Sequence, residues 1–359
     1  MHKRVVVGVT ALTLVIVAGA GVLAWRWVST TDYEDAVATM PSSTLRATYT
    51  DWAEVRELVD GASLDQASPA GAVNRFLDEA YRDDLISTSA VYSSTYAMAR
   101  RYGYSPLDAT WEMFGQSREG AVVAMRLPED ADFPGIERNL RTLGYSAPAA
   151  GAGEGQVWEG STDLVAQIDE SLTPVMQNVV VLGDEQLVLM SDNAAYASGA
   201  AEVVTGSASS LVDDSGAADD LVGVAEEPVS AVLWASDFAC SALSMASADE
   251  EDQATAEQLV SDAGGVSPLS GLVMARQADQ SLVVGMHFEG SDQAESNLRP
   301  RTELASGEAV GQGGTFADRF TISRARSTGP NVVLDLEPAG DADSLLSDLS
   351  QGPVLFATC

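Results

Sequence analysis

Beyond its first 28 residues this 359-residue chain reads as α+β. The sequence predicts two tandem, internally duplicated units, each a mainly antiparallel sheet with helices packed on one face, ferredoxin-like in its simplest description, behind one N-terminal transmembrane helix. Three observations predict it: an unbroken apolar run opens the chain, strand-like runs come in pairs joined by short turns, and one succession of turn, strand and helix signals occurs twice in the same order. Short turns favour antiparallel pairing, because parallel neighbours need a long crossover between them.

The opening run sets the location. Val5 to Trp25 is apolar apart from the hydroxyls of Thr10 and Thr13. At about 1.5 Å per residue, a helix of that length reaches across the roughly 30 Å hydrocarbon layer of a bilayer. His2, Lys3 and Arg4 precede it and the chain turns acidic beyond Arg26, so the excess of positive charge keeps the N-terminus cytoplasmic and the bulk of the chain extracytoplasmic. The rival reading is a secretory signal peptide, with Val5 to Val17 as its apolar region and Ala18-Gly19-Ala20 as a small-residue cleavage site. The uncleaved anchor is favoured because apolar residues continue through Val22, Leu23 and Ala24 and end at Trp25 and Trp27, where an interfacial aromatic belt belongs. Either way the rest is exported. Residues 1–28 are then the anchor, and 29–43, polar and holding Pro41, a juxtamembrane linker.

The first unit is expected over 44–204 and the second over 229–359. Leu45 to Thr50 is a strand-like run followed by Asp51-Trp52-Ala53 and a helical pattern; Ala231 to Ser236 is another, followed by Asp237-Phe238-Ala239. In both, the aspartate stands where it can accept from the free N–H groups of a new helix. Gly103-Tyr104-Ser105-Pro106-Leu107 leads through Trp111 and Phe114 into a turn and then the strand Ala121 to Leu127. Gly265-Val266-Ser267-Pro268-Leu269 leads likewise through Leu272 to Arg276 into Leu282 to Phe288. A helix bearing Asn-Leu-Arg follows each, at Asn139 and at Asn297. Each unit then closes with a hairpin, Asn178 to Leu182 with Gln186 to Met190 and Phe320 to Arg324 with Val332 to Leu336, and a helix, about Asn193 to Val204 and Asp341 to Leu349. Residues 205–228, rich in Ser, Gly, Ala and Asp, read as an acidic linker, and Val354 to Thr358 as a last strand.

The formal net charge is −34, from 53 acidic residues against 19 basic ones, and Lys3 is the sole lysine. Such a surface repels phosphate backbones, which argues against a nucleic-acid partner. Two cysteines in an exported chain are expected to pair, and a Cys240–Cys359 bridge closes a loop long enough for the chain-entropy estimate to reach about 5 kcal/mol.

Chemistry-bearing motifs are sparse. Beyond the anchor the one histidine is His287, placed by alternation on the face opposite Met286 and Phe288. A catalytic base is one reading and a packed strand residue the plainer one. The sequence has no His-Glu-x-x-His, Cys-x-x-Cys, nucleophile elbow, phosphate loop or dinucleotide fingerprint, so neither metal nor cofactor is expected. The glycine-rich run Gly307 to Gly314 precedes a strand and holds no lysine, which favours a plain connection over an anion cradle. Asp249-Glu250-Glu251-Asp252 lacks the alternating ligands of a calcium loop and suits the N-terminus of the helix that follows it. Carboxylates suited to glycoside hydrolysis abound, with no pair singled out.

The duplication fails in one place. Asp51 to Ser105 is 24 residues longer than Asp237 to Ser267, and the surplus holds Tyr92, Tyr96, Arg100, Arg101, Tyr102 and Tyr104. At helical spacing Tyr92, Tyr96 and Arg100 share a face. Tyrosine and arginine make rigid, amphipathic contact surfaces, so these six form the expected partner or ligand surface; the plainer reading is a helix laying its tyrosines on the sheet.

In its use of arginine for lysine, its acidic ectodomain and its single N-terminal span, the chain resembles the uncharacterised exported or membrane-anchored proteins of high-GC Gram-positive bacteria. The resemblance is compositional and implies a location. The expectation is a non-enzymatic binding or interaction module of the cell envelope, anchored in the bilayer through Val5 to Trp25 and meeting an envelope protein or glycan. A carboxylate-based hydrolase of envelope polymers and a carrier of an apolar ligand are the alternatives.

Overall fold

The computed structural model describes residues 30–149, 155–340 and 344–359. The expected anchor, Val5 to Trp25, lies outside the described residues. Among the described residues no helix is long and apolar enough to cross a membrane.

Order begins ahead of Thr44. Helix α1 (Asp32–Val37) stands inside the segment expected to be a linker, closed by a capping box in which Thr31 and Glu34 satisfy each other's backbone N–H. It forms because the few apolar residues there, Tyr33, Ala36, Val37 and Met40, fall at i, i+3, i+4 and i+7 and are all buried. Strand β1 (Arg46–Asp51) runs into α2 (Trp52–Leu58), and Asp51 caps that helix by accepting from Glu54 N at 2.9 Å, as expected, whereas Asp237, expected to do the same for the helix after it, makes no side-chain cap. Next come α3 (Ala70–Arg82), α4 (Thr95–Arg101), β2 (Trp111–Gln116), β3 (Ala121–Arg126), α5 (Phe133–Leu143), β4 (Val157–Glu159), α6 (Thr162–Ile168), β5 (Asn178–Leu182), β6 (Leu187–Ser191) and α7 (Ala194–Val204). The chain continues through α8 (Leu211–Asp214), α9 (Gly216–Ala225), β7 (Ser230–Ala235), α10 (Phe238–Ala242), α11 (Glu250–Asp262), β8 (Gly271–Arg276) and β9 (Leu282–His287). It closes with α12 (Ser291–Leu304), β10 (Phe320–Thr328), β11 (Asn331–Pro338) and α13 (Leu345–Ser350).

The class is α+β, and the strands form one eleven-stranded antiparallel sheet in the order β10-β11-β9-β8-β7-β1-β2-β3-β6-β5-β4. Outward from the centre the succession is β7-β8-β9-β11-β10 on one side and β1-β2-β3-β6-β5 on the other, with β4 added at the edge. The halves therefore share a sheet. They join where β1 pairs with β7, Thr48 opposite Val232 and Tyr49 opposite Ala231.

Helices cover both faces, not one. On one face a single core spans both halves: Ala47, Tyr49, Ala231, Leu233 and Val273 lie among buried residues of α1, α7 and α9. On the other face the apolar residues divide into two cores. The first gathers Trp52, Phe76, Met125 and Val179, the second Trp234, Met286, Leu334 and Phe356.

Two further expectations are corrected. Residues 205–228 are not simply a linker: α9 buries Ala218, Leu221, Val222 and Ala225 against the sheet. Glycines of the sheet let the helix approach closely; a Cβ built on Gly285 would fall 2.9 Å from Cγ1 of both Val224 and Val273. Nor do Val354 to Thr358 form a strand. Leu355–Ala357 is a 3₁₀ turn, because the carbonyls a ladder would use, those of Phe356 and Thr358, accept instead from the buried Arg301 guanidinium at 2.8 and 2.5 Å. The expected disulfide is present, joining Cys240 to Cys359 with Cα atoms 5.5 Å apart.

Candidate functional site at the junction of the halves

Where the two cores of the divided face part, a cleft of about 260 Å³ opens. The first half contributes Leu58 and Val59 from the end of α2 and Leu85 from the loop after α3; the second contributes Leu282 from β9 and Leu345 and Leu346 from α13. Two opposite charges line the same space, Asp83 and Arg276. Left-handed turns at Asp60 (φ 52°), Asp84 (54°) and Gln280 (75°) bend the chain beside it, a conformation aspartate tolerates better than most residues.

The strand alternation explains why this seam is polar underneath. Val232 and Trp234 face the second core, so Ser230 points the same way, as Arg276 does after Leu272 and Met274. On β1 the alternation puts Thr48 and Thr50 on this face, where they meet Thr88 at 2.6 and 2.7 Å. Ser230 and Arg276 are opposite each other in the ladder, and the Ser230 hydroxyl is buried with no hydrogen-bond partner. Asp84 crosses the seam: its Oδ2 accepts from Ser347 N at 3.0 Å, tying the first half to α13. Burial raises the Asp84 carboxyl above its ordinary range, against the pull of hydrogen bonds including that from Ser347 and of the Arg276 charge.

The tyrosine and arginine residues expected to form one surface are separated. Tyr102 and Tyr104 are core residues, 0% and 1% exposed. They follow the end of α4 at Arg101, so the helical spacing no longer governs them. Tyr102 meets the Tyr145 hydroxyl at 2.9 Å, and Tyr145 donates to Met176 O at 2.6 Å. Tyr92 and Tyr96 are half-buried, while Arg100 and Arg101 are exposed. The Arg100 guanidinium lies 5.6 Å from the Tyr96 ring centre. Tyr92 stacks on Tyr81 at 5.6 Å and 26°. Tyr81 is not among the six residues expected to form the surface, yet at 55% exposure it is, with Leu58 at 41%, one of two exposed large apolar side chains among the described residues.

His287 has the partners that sequence could not name. Ser270 Oγ lies 3.1 Å from its Nδ1 and Asp220 Oδ2 3.3 Å from its Nε2. Burial lowers the imidazole pKa against the pull of Asp220, so the ring is neutral at pH 7. A neutral imidazole between a hydroxyl and a carboxylate can act as a base toward the hydroxyl, yet here Ser270 Oγ also faces the His287 carbonyl at 3.4 Å and Asp220 belongs to α9. The contact fastens that helix to the end of β9.

Asp249 caps α11 by accepting from Glu251 N and Asp252 N, the helix-terminal use expected of the acidic run. Among the described residues no group of three or more His, Cys, Asp or Glu is arranged to hold a metal ion. The cleft residues went unnoticed in the sequence because they come from five separate segments; the one local signal is Arg276, a charge closing the otherwise apolar strand Leu272 to Ala275.

No protein-family model matches the chain, and no curated protein matches it. Among solved structures, the one described as crystal form I of TP0453 aligns with 90% of this chain and 100% of its own at 7% identity, with a TM-score of 0.39, a likeness too slight to carry an argument.

Proposed function

We propose that the chain is a single-pass, membrane-anchored binding module of the cell envelope, extracytoplasmic and non-enzymatic, which holds its ligand between its two halves. The observation carrying this reading is the junction cleft, to which both halves contribute aliphatic walls. The apolar run Val5 to Trp25 supports the anchor, and a disulfide fits an oxidising compartment. Compositional resemblance to membrane-anchored proteins of high-GC Gram-positive bacteria points the same way. The matched strand succession on either side of β1 and β7 supports an origin by internal duplication, with units over 44–204 and 229–359.

The test is to fill the cleft. Leu346→Trp is expected to abolish the fluorescence gain of an apolar probe added to the full chain in lipid nanodiscs, with the thermal transition retained; unchanged probe binding counts against the cleft. Sedimentation of the native protein with membranes, resistant to carbonate extraction, checks the anchor.

A second reading rests on the stacked Tyr81–Tyr92 pair, whose Tyr81 is 55% exposed, a surface suited to an envelope protein or glycan. Paired pull-downs with Tyr81→Ala and the unaltered chain test it, and identical retained sets dismiss it.

A further inference from the structure

We propose that the cavity between α4, α5 and α6 in the first half binds a phosphate monoester, its phosphoryl group on Arg100 and Arg101 and its apolar substituent on Leu143, Leu164 and Ile168. The inference stands apart from the junction cleft. The cavity measures about 390 Å³, within the range of roughly 300–1,000 Å³ typical of small-molecule sites, and Gln167 adds an amide to its lining.

Charge singles out this space. The chain carries −34, and the cavities bounded by Glu119, Glu202 and Asp214 and by Asp108, Asp130 and Asp132 are acidic. Among the described residues no carboxylate lines the cavity beside α4, and Arg100-Arg101 is the sole pair of adjacent arginines in the sequence. Neither arginine forms an ion pair with a described residue. The Arg100 guanidinium lies over the Tyr96 ring and donates to Gln66 O at 3.4 Å, contacts that hold it without cancelling its charge. Asp169, just beyond α6, feels the Arg101 charge, but its carboxylate is engaged by Ser171, accepting from N at 3.0 Å and from Oγ at 2.8 Å. More distant acids count for little, because charges beyond about 8 Å are largely screened at physiological ionic strength. Two guanidiniums without an opposite charge match a dianion bearing three acceptor oxygens, which a phosphate monoester is and a single carboxylate is not. Leu143, Leu164 and Ile168, each half-buried, give the substituent an apolar surface to cover.

Isothermal titration of the full chain in phosphatidylcholine nanodiscs tests this at about pH 8, where a phosphate monoester is a dianion, with butyl phosphate, inorganic phosphate, pentanoate and 1-pentanol as probes. Butyl phosphate is expected to bind at least about tenfold more tightly than each of the others, the scale of one charged hydrogen bond, and to weaken as salt rises. Arg100→Gln and Arg101→Gln are each expected to weaken it about tenfold or more, with the thermal transition retained because both side chains are exposed. Ile168→Ser is expected to weaken butyl phosphate and leave inorganic phosphate unchanged. Arg299→Gln, which removes an exposed charge from α12, is expected to change neither. Pentanoate or inorganic phosphate binding as tightly as butyl phosphate overturns the assignment. So do equal losses in Arg101→Gln and Arg299→Gln, or no heat from butyl phosphate. Phosphatidic acid added to the nanodisc names the source: it abolishes the butyl phosphate heat if the site takes a lipid headgroup and leaves it intact if the site takes a soluble ester.

Discussion

The two faces of the sheet are built differently. One carries a single apolar core that runs beneath both halves, closed by α1, α7 and α9. The other carries two cores that part over β1 and β7, where Thr48, Thr50 and Ser230 replace apolar residues and a cleft is left between α2 and α13. The difference assigns each face a task. Apolar burial holds the halves together on the shared face, and on the divided face the bond from Ser347 N to Asp84 crosses between two separate cores. Damage on the divided face should therefore stay within one half, whereas damage on the shared face should reach both.

The largest expected effect belongs to Arg301, which is fully buried and donates to the carbonyls of Phe356, Thr358 and Ser267. Burial pulls its pKa down to about 9, so the guanidinium is still charged at pH 7. Arg301→Met strands three carbonyls and is expected to cost about 3–5 kcal/mol. Hydrogen exchange should accelerate in β8, β9 and the C-terminal turn before it does in β2 and β3; equal loss in both halves would break the comparison. Removing the bridge with Cys240→Ser and Cys359→Ser comes next, at about 2–5 kcal/mol for a separation of 119 residues, again concentrated in the second half. Gly285→Leu sharpens the contrast from the other side. It forces a side chain into the α9 contact at a cost of about 1–3 kcal/mol, and protection is expected to fall in both halves together.

What could be read from the sequence was whatever had a local cause. Strand runs followed alternation, and the repeated Asn-Leu-Arg marked a shared structural task. Asn139 donates to Tyr102 O at 3.0 Å and Asn297 accepts from Ser267 N at 2.8 Å, each tying a helix to its Gly-x-Ser-Pro turn. Cys240 and Cys359 could be paired because no other cysteine exists. The pairing of β1 with β7 left no such trace, since it joins residues 180 or more apart in the chain and both strands satisfy the same pattern in separate sheets. Helix α9 was hidden by its composition: a run rich in Ala, Gly and Asp looks like a flexible segment until a sheet bearing Gly271 and Gly285 is set against its Leu221. The cleft was hidden for a third reason. Leu58, Leu85 and Leu346 are each ordinary core leucines in sequence, and only the gap between two cores makes them a wall.

The smallest expected effect, a change of slope, comes from Asp51, which stands where the faces meet. Its backbone closes β1 and donates to Val229 O across the junction, its carboxylate caps α2 on the divided face, and it feels the charge of Asp32 from α1 on the shared one. Burial, the largest cause, pushes its pKa from 3.8 to about 6, against the pull of the Glu54 and Ala53 N–H groups and with a further push from Asp32. A carboxyl that holds its proton more tightly when folded stabilises the fold on protonation; that contribution is full below 3.8 and is lost as pH rises through about 6. Asparagine caps a helix about as well and does not ionise. Denaturant midpoints for Asp51→Asn should therefore gain on those of the unaltered chain as pH rises from 3.8 to about 6, and level off above it. A difference that is flat with pH would mean the carboxylate is solvated, and the junction between the two faces more open than the packing around β1 and β7 requires.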